Sequence, residues 1–322
     1  MVKIKHSLSD HFDGKKFHNQ YPPKRERSFR EILQWLSQRN PPKWPKRVHT
    51  KVHQLPSEPI HKGHVRITFI NHSTVLIQTH HLNILTDPIW SERCSPFKWM
   101  GPKRVAPPGI KFEDLPPIHL VLLSHNHYDH FDIPTLRRLH RHHRPSVLVA
   151  LGNGKLLKRM GIKEYAEMDW WQAHSMPHVK VTFVPAQHFS RRGLFDENMT
   201  LWGGFVIEGD FAPIYFAGDT GYGTHFHLIR KKFGPIGVAM LPIGAYIPRW
   251  LMSPVHMSPE DAVKAHLDLK ASKSLGIHFG TFPLGDEPFE APVNELERHK
   301  ISAGLEPSDF VALQNGEGFG FK

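Results

Sequence analysis

The sequence lacks the cysteines that would cross-link the chain and the long apolar segments that would anchor it in a membrane. Its 322 residues include a single cysteine, Cys94, which excludes a disulfide or a multi-thiolate zinc cluster within one chain. No run of about 18 apolar residues occurs, and residues 1–17 lack the apolar stretch of a signal peptide. We therefore expect a soluble, cytoplasmic protein in which histidine and carboxylate side chains hold any metal ion.

Positive charge is concentrated near the N-terminus. The net charge is +11, and residues 1–66 hold 15 Lys or Arg against 5 Asp or Glu. A basic segment of this kind favours an anionic partner. Residues 28–39 also predict a helix with one apolar face, formed by Phe29, Ile32, Leu33 and Leu36. This face either packs on the protein's own core or lies on the inner face of a membrane as a peripheral anchor.

The pattern divides the chain into two parts. Residues 1–60, rich in proline and basic residues, predict a wrapping segment with one short helix, and residues 61–322 predict one folded domain. Strands are predicted at residues 64–70, 73–79, 82–88, 118–124, 147–152, 179–186, 202–209, 212–219, 238–245 and 274–280. Helices are predicted at residues 132–143 and 258–269. Many short strands with few helices favour a layered α/β fold over a TIM barrel or an all-β sandwich.

The segment LLSHNHYDHFD, residues 122–132, follows one predicted strand directly. His125 and His127 are two residues apart and can project to one side, while Asp129 and His130 follow where the chain turns. Chance placement would produce H-x-H-x-D-H in roughly 0.7% of chains of this composition, so coincidence is a weak explanation. Four ligands in six residues are too crowded for one tetrahedral ion but can serve two adjacent ions. Asp132 is predicted to cap the following helix.

Further ligands must come from distant loops. His188, Asp219 and His278 each lie just beyond a predicted strand. Sites in layered α/β proteins gather where strands give way to loops. We therefore predict that these three side chains join the segment at one edge of the fold.

These residues together resemble the metallo-β-lactamase superfamily. The strings LTDPIWSERCSPFKWMGPKR, LPPIHLVLLSHNHYDHFD, PAQHFSRR, FAGDTGY and IHFGTF are similar to the branch that contains N-acylphosphatidylethanolamine-hydrolysing phospholipase D and its bacterial relatives. The resemblance covers residues 65 to 320. It implies an αββα sandwich with two zinc ions and a hydroxide held between them.

The resemblance also implies a role for each ligand. His125, His127 and His188 match the ligands of the first zinc ion. Asp129, His130 and His278 match those of the second, and Asp219 matches the carboxylate that bridges the two. Together with Asp129 and Asp219, His256 is a candidate for catalysis, because it matches a histidine near the substrate head group and precedes a predicted helix start.

The roles of several neighbours are left as alternatives. Asp87 either orients a ligand histidine through the free ring nitrogen or shapes the turn before Pro88. His256 either meets the substrate phosphate or anchors its loop. The candidates for binding the lipid are Lys98, Trp99, Met100 and Trp250, of which the three apolar residues would otherwise belong to the core.

The leading functional hypothesis is a zinc-dependent phosphodiesterase that converts N-acylphosphatidylethanolamines to N-acylethanolamine and phosphatidic acid. One alternative is hydrolysis of another phosphodiester, ester or lactone at the same site. Nucleic acid is the less favoured partner, since no combined aromatic and basic binding motif is present. A second alternative is a metal-binding sensor without turnover. The oligomeric state is not predicted, and a homodimer is one option.

Overall fold

The computed structural model describes residues 8–20 and 29–322 of the chain, excluding the side chains of Phe29, Ile32 and Leu36. In the described part, fourteen strands and seven α-helices follow one another along the chain. The strands are β1 (Val65–Asn71), β2 (Thr74–Gln78), β3 (Asn83–Thr86), β4 (Leu120–Leu123), β5 (Ser146–Ala150), β6 (Tyr165–Met168), β7 (Ala173–Met176), β8 (Val179–Val184), β9 (Gly204–Glu208), β10 (Ile214–Phe216), β11 (Val238–Pro242), β12 (Lys273–Ile277), β13 (Phe310–Val311) and β14 (Gly318–Phe321). The helices are α1 (Phe29–Gln38), α2 (Ile133–His142), α3 (Gly154–Arg159), α4 (His225–Phe233), α5 (Arg249–Met252), α6 (Pro259–Leu269) and α7 (Ala291–Ser302).

The strands form two sheets of seven strands each. The first has the order β14-β1-β2-β3-β4-β5-β6, and the second has the order β13-β12-β11-β10-β9-β8-β7. Strands β3 to β6 pair in parallel, as do β10 to β13, while the other pairs are antiparallel. The loops that carry the candidate site follow the carboxyl ends of strands in both sheets.

Both faces of the central strands are buried, because each sheet is covered on both sides. In β4, Leu120 and Leu122 enter the core between the sheets, whereas Val121 and Leu123 face the layer that contains α2 and α3. Helices α4, α6 and α7 cover the outer face of the second sheet. Alternate side chains of a strand point to opposite faces, so such strands are apolar throughout. The predicted αββα sandwich is confirmed.

The ten predicted strands match β1 to β5 and β8 to β12, and both predicted helices are present. The predicted capping box of α6 forms: Asp261 N donates to Ser258 Oγ at 3.2 Å, and Ser258 N donates to Asp261 Oδ2 at 3.1 Å. Asp132 is the N-cap residue of α2, as predicted, but its side chain does not make the expected capping hydrogen bond. Its carboxylate accepts from the hydroxyls of Thr135 (2.6 Å) and Ser91 (2.8 Å) instead.

The predicted N-terminal helix is present as α1, and polar contacts fasten it to the loop before α7. Trp35 Nε1 donates to Asp286 Oδ2 at 2.8 Å, and Arg39 Nε donates to Asp286 Oδ1 at 2.5 Å. Of the predicted apolar face, only the Leu33 side chain lies among the described residues, and it is 49% exposed. The division at residue 60 stays a prediction. Among the described helices, none combines the length and apolarity needed to cross a membrane.

Candidate metal centre

The predicted ligands converge at one edge of the two sheets. His125, His127, Asp129 and His130 lie in the loop between β4 and α2. His188, Asp219 and His278 lie in the loops that follow β8, β10 and β12. The ligands converge because a sheet brings the carboxyl ends of strands that run in the same direction to the same edge.

One group of donors consists of His125, His127, His188 and Asp219, whose ligand atoms all lie within 4.8 Å of one another. His127 Nδ1 lies 2.8 Å from His125 Nε2 and 3.2 Å from His188 Nε2. Asp219 Oδ2 lies 3.8 Å from His188 Nε2. Three imidazole nitrogens and one carboxylate oxygen facing a common point form a donor set that zinc accepts.

A second group contains Asp129, His130 and His278. Asp129 Oδ2 lies 3.2 Å from both His130 Nε2 and His278 Nε2. Asp219 Oδ2 lies 3.2 and 3.1 Å from the same two nitrogens. The Asp219 carboxylate thus faces both groups, which is the position expected for a bridging ligand.

Burial and charge prepare these groups for a cation. Burial raises the pKa of Asp129 and Asp219, but the charges and hydrogen bonds of His130 and His278 together outweigh it and hold the pKa of both carboxyls well below the usual range. Burial lowers the pKa of His125 well below its usual value, so this imidazole is neutral. Burial also lowers the pKa of His130 and His278, but the charges of Asp219 and Asp129 outweigh it and raise the pKa of His130 well above its usual value and that of His278 to about 9. Because metal binds ionised carboxylates and neutral imidazoles, metal binding would release the protons of these two rings.

Unsatisfied buried atoms also fit a metal site. Within the described part of the chain, Asp219 Oδ1 and His130 Nε2 are buried without a hydrogen-bond partner. Leaving a buried polar atom unpaired costs about 1–3 kcal/mol. A divalent cation at this point would satisfy such atoms, so the residues present fit the metal that the fold implies.

Hydrogen bonds behind the ligands fix the orientation of their rings. His130 Nδ1 donates to Asp87 Oδ2 at 2.6 Å, and Asp87 also accepts from Ser124 N at 2.8 Å and from Ser124 Oγ at 2.6 Å. His188 Nδ1 donates to Val255 O at 2.9 Å. A donor bond from one ring nitrogen leaves the other nitrogen free for a metal. Both alternatives for Asp87 hold geometrically, since it contacts His130 and also turns the chain before Pro88 with φ +30°.

His72 is a member of the second group that the sequence analysis missed. Its Nε2 donates to Asp129 Oδ2 at 2.9 Å, the oxygen that faces His130 and His278. The backbone is held on both sides, because His72 N donates to Thr281 Oγ1 at 3.1 Å and His72 O accepts from His278 N at 2.8 Å. Both His72 (φ +50°) and His278 (φ +61°) adopt the left-handed conformation, which is uncommon outside glycine and clusters at functional sites. The sequence signal that could have identified His72 is its position directly after a predicted strand, like that of the other ligands.

Replacing His72 should weaken metal binding more than it weakens the fold. We expect His72→Ala to lower the affinity for one zinc ion about 10- to 100-fold, as found when groups that orient metal ligands are removed. Competition with a chromophoric chelator measures this. The matched control is His266→Ala, which removes a buried histidine that bonds Ser274 Oγ at 2.8 Å and should leave zinc affinity unchanged. Equal zinc affinities for both variants would show that His72 does not orient Asp129.

The structure brings His256, the candidate for contact with the substrate phosphate, to the metal centre. His256 Nδ1 lies 3.9 Å from Asp219 Oδ2, and its ring centroid lies 5.2 Å from that of His188. The other candidates are exposed. Lys98, Trp99 and Met100 lie in a loop, where Lys98 is exposed and the exposed fractions are 73% for Trp99 and 48% for Met100, while Trp250 lies in α5 and is 49% exposed. The alternative that these three apolar side chains belong to the core is wrong. Their contact with a lipid stays a prediction.

Comparisons with known proteins show which family the chain resembles. The sequence profile described as a beta-lactamase superfamily domain matches residues 82–279, more than half of the chain. The N-acyl-phosphatidylethanolamine-hydrolyzing phospholipase D 1 of Caenorhabditis elegans is 34% identical over 306 residues, which cover 90% of this chain and 86% of that protein. A mitochondrial protein of the same description from Saccharomyces cerevisiae is 36% identical over 225 residues, covering 67% of this chain but only 47% of the yeast protein.

Solved structures support the fold. Igni18, described as a metallo hydrolase from Ignicoccus hospitalis, matches with a TM-score of 0.62 over 80% of this chain and 99% of its own. Sequence identity to it is 23%, so this likeness shows the architecture alone.

Proposed function

This chain belongs to the metallo-β-lactamase superfamily and is a metal-dependent hydrolase; from that premise we propose that it is a dinuclear zinc phosphodiesterase of phospholipase D type. Its proposed substrates are N-acylphosphatidylethanolamines, and its products are N-acylethanolamine and phosphatidic acid. The similarity to the worm and yeast phospholipases supports this substrate class.

The observation that carries the proposal is the central position of Asp219. Its Oδ2 lies within 4.0 Å of five imidazole nitrogens, from His125, His130, His188, His256 and His278. We assign His125, His127 and His188 to one zinc ion, Asp129, His130 and His278 to the other, and Asp219 to both. Two such ions, when bound, would lower the pKa of a water molecule, hold a phosphodiester oxygen and stabilise the leaving alkoxide.

The donor chemistry supports zinc. The single thiol, Cys94, is buried, and burial raises its pKa, so it is not a thiolate ligand at neutral pH. Imidazole and carboxylate remain, and zinc binds both.

His256 is suited to bind the substrate phosphate. Its Nδ1 is buried and has no hydrogen-bond partner within the described residues. Burial lowers the pKa of this imidazole well below its usual value, so the neutral ring can donate one N–H to a phosphate oxygen. The His256 backbone is fixed, because its N–H donates to Met252 O at 2.8 Å and its carbonyl accepts from Arg249 Nη1 at 3.2 Å.

The lipid-binding surface is also proposed. Trp99, Met100 and Trp250 are exposed and could contact acyl chains, and Lys98 carries a positive charge beside them. The basic residues 1–60 would hold the protein on an anionic membrane, since opposite charges attract the segment to the head groups.

Hydrolysis of a defined lipid tests this function. We expect the zinc-loaded protein to convert N-acylphosphatidylethanolamine in mixed micelles to N-acylethanolamine, detected by mass spectrometry, and a chelator to stop the conversion. Bis-p-nitrophenyl phosphate is the companion substrate. If it is cleaved while the lipid stays intact, the enzyme acts on another phosphodiester; if neither is cleaved, the sensor hypothesis replaces the enzyme.

A further inference from the structure

The N-terminal residues 8–20 pack against the domain beside the loop that carries His188. Phe12 and Phe17 are 8% and 1% exposed and belong to the core between the two sheets. His11 Nε2 donates to Asp169 Oδ1 at 2.7 Å, and its ring lies 4.4 Å from that of Trp170. The segment therefore has a fixed place on the molecule.

Asn19, at the end of this segment, bonds both main-chain groups of His188. Its Oδ1 accepts from His188 N at 3.1 Å, and its Nδ2 donates to His188 O at 2.9 Å. The Asn19 side chain is fixed in turn by Trp202, whose Nε1 donates to Asn19 Oδ1 at 3.0 Å. In the described part of the chain, the two bonds to Asn19 are the only hydrogen bonds of the His188 main chain.

The same segment also holds the far side of the loop. Phe17 N donates to Asn198 O at 2.8 Å, and Asn198 Oδ1 accepts from Ser190 N at 3.2 Å. The loop between β8 and β9 is thus tied to the N-terminal segment both at His188 and near its other end. A loop outside any sheet ladder depends on such bonds to keep its main chain in place.

The position of the His188 main chain decides where the ring points. With the backbone fixed by Asn19 and Nδ1 bonded to Val255 O at 2.9 Å, Nε2 faces His127 Nδ1 at 3.2 Å. If the main chain shifted, the ring could keep either its bond to Val255 or its place among the other donors, but not both. Metal ligands tolerate distance errors of only about 0.2 Å.

We propose that Asn19 is a positioning residue for the metal centre, which holds His188 in place through its main chain. The inference rests on the proposed role of His188 as a zinc ligand. It assigns part of the metal site to a segment that lies outside residues 82–279, the region matched by the superfamily profile. The basic N-terminal segment thereby contributes to metal binding as well as carrying charge.

Zinc binding by full-length variants tests this role without any lipid substrate. Asn19→Ala should weaken the binding of one zinc equivalent about 10- to 100-fold in competition with a chromophoric chelator, the usual effect of removing a group that orients a ligand. Asn19→Asp, which keeps the acceptor oxygen but loses the donor to His188 O, should weaken the same equivalent as well. Gln20→Ala is the matched control, because Gln20 Nε2 bonds Asp10 Oδ2 at 3.0 Å and not the loop.

The controls separate a positioning role from general stability. Asn19→Ala leaves the buried N–H and carbonyl of His188 without these partners, so we expect its metal-free form to melt at a lower temperature than Gln20→Ala. Zinc affinities are therefore compared at a temperature at which both metal-free variants are folded, and there we expect them to differ. Wild-type zinc affinity in Asn19→Ala would overturn the inference, as would an equal loss in Gln20→Ala. If Asn19→Ala does not fold, Asn19→Asp decides by the same criterion. Failure of the wild type to cleave the lipid would remove the proposed substrate but leave this comparison valid.

Discussion

Replacing Asp129 by asparagine is expected to abolish turnover, with a fall of about 10³-fold or more in kcat, the upper range for losing one group that stabilises charge at a reacting centre. Asp129 Oδ2 lies 2.9 to 3.2 Å from the Nε2 atoms of His72, His130 and His278, so one oxygen serves as the anionic member of the second group. An amide is neutral and a weaker ligand, and the buried imidazoles would lose their counter-charge. We expect the variant to bind one zinc equivalent where the wild type binds two.

The matched control for this variant is Asp132→Asn in the same loop. Asp132 is also buried, but its carboxylate bonds Ser91 and Thr135 and contacts no member of the donor groups. Its zinc content and turnover should stay within a few-fold of wild type. Similar losses in both variants would mean that the loop is sensitive to any change and that Asp129 has no special role.

Replacing Asp87 by alanine should have the largest effect on stability. Asp87 is fully buried and accepts hydrogen bonds from His130 Nδ1, Ser124 N and Ser124 Oγ. Breaking a buried charged pair by removing one partner costs about 3–5 kcal/mol, so we expect the free energy of unfolding to fall by that amount. Zinc affinity should fall as well, because the His130 ring loses its orienting bond. Denaturant unfolding of the metal-free protein and chelator competition measure the two effects separately.

Asp132→Ala provides the comparison for this prediction too. It removes a buried carboxylate with hydroxyl partners and should destabilise the protein without changing zinc affinity. If Asp87→Ala destabilises the metal-free protein but binds zinc as tightly as wild type, the contact with His130 is structural only, and the turn before Pro88 is the function of Asp87.

Much of the metal centre could be predicted because its ligands follow a local rule. His125, His127, Asp129 and His130 are close in the chain, and His188, Asp219 and His278 each follow a strand whose apolar pattern is visible. In a layered α/β fold those positions meet at one edge. The resemblance to a known superfamily then suggested which ligand serves which ion.

The residues that were missed depend on contacts between distant segments. His72 reaches Asp129 because the turn between β1 and β2 is bonded to the loop after β12, through His278 N and His72 O. Asn19 reaches His188 because the N-terminal segment docks through Phe12 and Phe17. No periodicity or spacing in the sequence encodes such pairings, since they depend on how separate elements pack.

Side-chain environment was also harder to predict than element type. Asp132 stands where a helix cap belongs, yet nearby hydroxyls take its hydrogen bonds. Strands β6, β7, β13 and β14 were not predicted. Strand β13 has only two residues, and β14 alternates glycine with phenylalanine, which weakens the strand signal. The missing cap thus reflects other contacts of the Asp132 side chain, and the missed strands β13 and β14 reflect a weak local signal.

The central claim is that this hydrolase cleaves a phospholipid at phosphorus, and the fate of the water oxygen tests it most directly. The zinc-loaded protein would be given N-acylphosphatidylethanolamine in water enriched in oxygen-18, and both products would be weighed by mass spectrometry. Attack of water at phosphorus forms a new P–O bond and breaks the bond between phosphorus and the ethanolamine oxygen. We therefore expect the label in phosphatidic acid and none in N-acylethanolamine. Label in N-acylethanolamine or in a released fatty acid, or an unchanged lipid, would contradict the assignment.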